Sequence, residues 1–158
     1  MKIKTDFITN SSSTSFLFVF RGNTLHDLYK AMKENWRWFE YKGCDNQIVN
    51  VYDMIYYEES PDRTSIPIED KIIEIQKELK DIREFTKNNP KCNSEYEKQE
   101  IQKLEKLIEI LKFKKKKGFK TTAELNFSNH DNIGSVISEN LVTSENNNLV
   151  VINLGYDG

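Results

Sequence analysis

The chain has 158 residues, 37% apolar and 30% charged, with a mean hydropathy of -0.67 and a formal net charge of -2. That length suffices to bury a core without disulfide or metal staples, and balanced charge with 11% aromatic residues excludes disorder throughout. No apolar run approaches the roughly 18 residues of a membrane span, and Phe16 to Phe20 is too short for a signal-peptide core, so a cytoplasmic protein without membrane contact is expected.

In chain order, Thr9 to Ser15 is a polar, serine-rich stretch leading into Phe16-Leu17-Phe18-Val19-Phe20, whose length and aromatic, β-branched character suit a buried strand. Arg21-Gly22-Asn23 ends it. Thr24 with Asp27 forms a capping pair, after which Leu25, Leu28, Met32, Trp36 and Phe39 recur on one helical face. From Tyr41 to Ser65 the pattern is mixed: Ile48, Val51, Tyr52 and Ile55 fit a helix, while Val49, Val51 and Ile55 partly fit alternation. We read this stretch as helix, punctuated by Pro61 and Asp62, with Ser65 and Pro67 signalling the next helix start.

The clearest periodicity follows. Ile68, Ile72, Ile75, Leu79 and Ile82 make one apolar seam, and Ile101, Leu104, Ile108 and Leu111 make another. Between them Asn88 to Asn93, with Pro90, stops the first helix, and Ser94 with Glu97 restarts the second. An antiparallel helical hairpin over 68–117 results, its outer faces laced with pairs such as Lys77 with Asp81 and Lys80 with Glu84. After Gly118, Thr121 to Phe127 reads as a strand, Asn132 to Asn140 as a short helix and Leu149 to Leu154 as a buried strand, a βαβ pattern that favours parallel pairing. The expected fold is a small α+β domain spanning 1–158: a three-stranded sheet covered by helices, with the hairpin inserted as an arm.

The opening Met1-Lys2-Ile3-Lys4-Thr5-Asp6-Phe7-Ile8-Thr9-Asn10-Ser11-Ser12-Ser13-Thr14-Ser15-Phe16 resembles the N-terminal signature of a group of uncharacterised bacterial and phage proteins. These begin with a basic, Thr-Asp-Phe segment, then Thr-Asn, a serine run and a Phe. The likeness covers about the first 16 positions, with Thr14 interrupting the serines, and implies a bacterial or phage origin without an activity.

Three candidate surfaces emerge. If the strands run parallel, their carboxyl ends gather Arg21 and Asn23, then Ser128, Asn129, His130 and Asp131, then Tyr156 and Asp157, where open α/β sheets hold ligands. There His130 beside Asp131 supplies a general base with an orienting carboxylate, or with Asp157 ligands for a divalent metal; equally, Asn129 or Asp131 caps the helix starting at Asn132. Trp38, Tyr56 and Tyr57 are candidate contacts for a protein partner. Lys112, Lys114, Lys115, Lys116 and Lys117, with Phe113 and Phe119 as stacking groups, could hold phosphates weakly, or simply complement a helix dipole before Gly118. Six lysines and no acid lie in 112–120, whereas 121–158 carries no lysine or arginine and five acids, which repel the same ligand. Cys44 and Cys92 have no CxxC partner and read as free thiols; neither a resident metal nor a cofactor is expected. A non-enzymatic macromolecular binding protein is the leading expectation, ahead of a small enzyme or ligand-binding domain around His130.

Overall fold

A computed structural model describes residues 13–34, 40–42, 48–50, 65–92, 95–128, 144–145 and 147–156. Contacts divide the chain into two compact units, Met1–Ser65 with Thr121–Gly158, and Ile66–Lys120.

In the first unit, β1 (Ser13–Phe20) lies between β5 (Thr121–Ser128) and β7 (Leu149–Tyr156), and β6 (Ser144–Glu145) pairs with β7 beyond it. All these pairings are antiparallel, which corrects the parallel expectation: β5 and β7 share a direction, but β1 runs between them the opposite way. Phe16 to Phe20 are all fully buried, as suits a continuous apolar run on a strand paired on both edges. Phe16, Phe18 and Phe20 share one face with Ala123, Leu125, Leu149 and Val151, and α1 (Leu25–Glu34) lays Leu28, Ala31 and Met32 on it.

Three boundaries differ from expectation. β1 reaches back into the serine run because β5 and β7 continue alongside it, pairing Ser13 with Ser128 and Thr14 with Tyr156. β6 adds a fourth strand too short to show any periodicity. Within the stretch read as helix, β2 (Glu40–Lys42) and β3 (Ile48–Asn50) form an antiparallel pair, Tyr41 opposite Val49. There Ile48 and Val49 favour strand, and the intervening Gly43, Asp45 and Asn46 are turn formers. Trp36, Phe39 and the segment Asn132 to Asn140 lie outside the described residues.

In the second unit, β4 (Ile66–Pro67) leads into α2 (Ile68–Asn88), and a 3-10 turn (Pro90–Cys92) precedes α3 (Glu95–Lys116). Pro67 holds the position before the helix without a side-chain cap, so Ser65 does not cap it; instead Ile68 N–H donates to the Lys120 carbonyl at 2.8 Å. α2 and α3 pack in opposite directions, Glu69 pairing with Lys115 and Arg83 with Glu105 at 3.1 Å. Ile68, Ile72, Ile75 and Leu79 of α2 and Leu104, Leu107, Ile108 and Leu111 of α3 are buried, and the two helices are in contact. Lys80 and Glu84 pair at 4.0 Å on the outer face. No described helix is long and apolar enough to cross a membrane.

Candidate functional site

The antiparallel sheet separates the residues that a parallel one would have gathered. Phe20 stands opposite Thr121 and Leu149, so Arg21 and Asn23 follow β1 at the end where β5 and β7 begin. Ser128 and Tyr156 sit at the other end, beside Ser13 and Thr14. His130, Asp131, Asn129 and Asp157 lie outside the described residues.

Arg21 and Asn23 have structural partners. Arg21 Nε donates to the Asn147 carbonyl at 2.5 Å, tying the end of β1 to the turn before β7. Asp27 Oδ2 accepts from the Asn23 N–H at 2.9 Å and the Thr24 N–H at 3.1 Å, while the Asp27 N–H donates to Thr24 Oγ1 at 3.3 Å. This is the reciprocal capping pair expected from the sequence, satisfying donors that begin α1. The backbone N–H of Asn23, then those of Thr24 backbone and hydroxyl, hold the Asp27 carboxyl below its ordinary value.

At the opposite end the sheet turns polar. Ser15 is buried and its Oγ accepts from Asn126 Nδ2 at 3.2 Å. Here β7 bulges: Ser15 faces Gly155 and Phe16 faces Asn153, leaving Leu154 extra, and the Gly155 N–H donates to Asn153 Oδ1 at 2.7 Å. Bulges of this kind re-aim side chains at strand ends.

The lysine cluster ends α3. The Phe119 N–H donates to the Lys114 carbonyl and the Gly118 N–H to the Lys115 carbonyl, both at 3.1 Å, with Gly118 at φ 98°. That is a Schellman cap, and the lysines of its last turn face the negative end of the helix dipole. Lys115 is paired with Glu69, whose carboxyl it holds below the ordinary value, and Lys114 and Lys117 lie 5.6 and 5.3 Å from the Phe113 ring centre. Phe119 is buried, so the stacking role expected for it is corrected: its N–H closes the cap on the Lys114 carbonyl and its ring is out of solvent.

The helical unit also exposes large apolar side chains: Ile73 is 61% exposed, Phe85 53%, Tyr96 64% and Phe113 54%. Ile73, Phe85 and Tyr96 were not singled out by the sequence reading, although Ile73 and Phe85 fall off the seam spacing and that mismatch is the signal. Phe85 and Tyr96 flank the turn between the helices. Along the α2–α3 line runs an open groove of about 480 Å³, lined by the apolar Leu79 and Ile108 and by the charged Lys80, Arg83, Glu84 and Lys87 of α2 and Glu105 and Glu109 of α3. Trp38, Tyr56 and Tyr57 lie outside the described residues. Among the described residues no three His, Cys, Asp or Glu side chains gather as a metal site would.

Comparison with protein-family models, with curated proteins and with solved structures finds no match to this chain.

Proposed function

We propose that the chain is a non-enzymatic macromolecular binding protein whose contact surface is the helical unit, residues 68–117 acting as an inserted hairpin arm. The observation carrying this is the set of four large apolar side chains, Ile73, Phe85, Tyr96 and Phe113, standing more than half exposed on two otherwise charged helices. Such side chains leave water when a partner covers them. The N-terminal likeness supports a bacterial or phage setting, and the cytoplasm is where we place the protein.

The test is co-purification from the native host. Phe85→Asp with Tyr96→Asp abolishes capture of the partner, while His130→Ala and Asp157→Ala leave it unchanged. The reverse pattern transfers the function to the sheet end.

One observation favours that second reading, a small enzyme or ligand-binding domain. The register sets Ser13 and Thr14 beside Ser128 and Tyr156, so the serine run enters the sheet where the chain departs toward His130 and Asp157. In this reading the sheet end at Ser13 and Ser128, and not the end at Arg21 and Asn23, takes the ligand.

A further inference from the structure

The groove of the helical unit is mainly basic on its α2 rim and acidic on its α3 rim. Lys80, Arg83 and Lys87 of α2, with Glu84 paired to Lys80, stand on one side, Glu105 and Glu109 of α3 on the other. The pairing of Arg83 with Glu105 and of Glu69 with Lys115 fixes which residues share a level along the two helices. By that alignment Ile73 is level with Phe113, and Lys80 falls between the levels of Glu105 and Glu109. Ile73 lies two turns before Lys80 on the same side of α2, and Phe113 one turn after Glu109 on α3, so both extend the groove-bearing face.

This pattern is complementary to itself. A two-fold axis parallel to the helices lays α2 of one molecule over α3 of another without sliding either along its length. Arg83 then stands over Glu105 of the second copy, Lys80 within reach of both Glu105 and Glu109, and Ile73 against the exposed Phe113, each contact occurring twice. We propose that the helical unit binds a second copy of this chain in this way, groove face to groove face. The proposal rests on the macromolecular-binding reading above and names the partner.

The area is consistent with a dimer of modest strength. α2 has 21 residues and is therefore about 31 Å long, and two helices side by side are about 20 Å wide, giving a face of roughly 600 Å² per copy. A standard interface buries about 800 Å² per partner, so association in the micromolar range is expected. The Ile73 and Phe113 contacts supply apolar burial, and the charge rows set register and reject other alignments.

Sedimentation velocity over micromolar to submillimolar concentrations tests this on the full chain. The wild type passes from monomer to dimer. Arg83→Glu alone and Glu105→Arg alone each weaken self-association at least tenfold, because like charges face each other across the interface. An equimolar mixture of the two variants restores a heterodimer, since each molecule then carries the charge the other lacks. A pair acting only within one chain is not rescued by mixing. Ile73→Asp, at an exposed position, abolishes the dimer without unfolding the chain as judged by circular dichroism, and mixing does not rescue it. A wild type that stays monomeric throughout, or a mixture that fails to associate, overturns the proposal. A monomer that still captures a host protein through Phe85 and Tyr96 overturns self-pairing and leaves the binding reading standing; a monomer that captures nothing overturns both.

Discussion

A methyl group placed on Gly22 would overlap the carboxyl-bearing side chain of Asp27. The chain leaving β1 passes so close to the cap of α1 that only a hydrogen fits there, which makes Gly22 part of the capping structure. Gly22→Ala therefore displaces the Asp27 carboxylate from the Asn23 and Thr24 N–H groups and lowers the melting temperature. Asp27→Ala removes the same bonds from the other side. The double variant is less destabilised than the sum of the singles, because both act on one cap, and a double-mutant cycle by thermal denaturation measures this.

The lowered pKa of Asp27 gives that cap a defined pH dependence. A carboxyl whose folded pKa lies below its unfolded value contributes stability that is present above the ordinary value of 3.8 and is lost as pH falls through the lowered folded value. Glu69, held down by Lys115, acts in the same direction. Melting temperature measured from neutral pH downward falls on the acid side, and Asp27→Ala shows a shallower fall than the wild type.

Phe18 is fully buried at the middle of the central strand, paired with Ala123 on one side and Val151 on the other. Truncation to Ala costs about 3–5 kcal/mol. Total stabilities are commonly about 5–15 kcal/mol, so Phe18→Ala leaves a marginal fold with a much lower urea midpoint. Phe85→Ala, at a half-exposed position, leaves that midpoint nearly unchanged.

Gly118 closes α3 at φ 98°, a conformation that costs an L-residue about 1–2 kcal/mol. Gly118→Ala destabilises the helical unit by that amount, read as a loss of helical ellipticity at lower denaturant. Gly118→Asn is milder, since Asn tolerates positive φ.

Of the lysines before Gly118, Lys115 pairs with Glu69, and little nucleic-acid affinity is expected of the group. A filter-binding titration at low salt with single-stranded or duplex DNA or RNA retains no complex. Were a complex to form through these groups, replacing Lys112, Lys116 and Lys117 with Gln would flatten the salt slope by roughly two to three units.

The sequence by itself determined the elements whose residues speak through local spacing. The seams of α2 and α3 follow from apolar residues three and four apart, the start of α1 from Thr24 and Asp27, the end of α3 from Gly118, and the burial of β1 from five consecutive apolar residues. The caps are set by contacts within a turn or two of chain, and the buried faces are marked by local spacing although distant residues cover them. Tertiary structure alone decided which strands meet and in which direction, because a strand's hydrogen bonds are completed by residues far away in sequence. That is why Ser13 belongs to a strand opposite Ser128, why β2 and β3 pair within a stretch whose apolar spacing resembles a helix, and why Arg21 and Asn23 stand at the far end of the sheet from Tyr156. The exposed faces follow the same division. Periodicity marks Ile72 as inward and Ile73 as off the seam, but the shared level of Ile73 and Phe113 depends on how α2 and α3 are set against each other, and the ion pairs at Glu69 and Arg83 fix that.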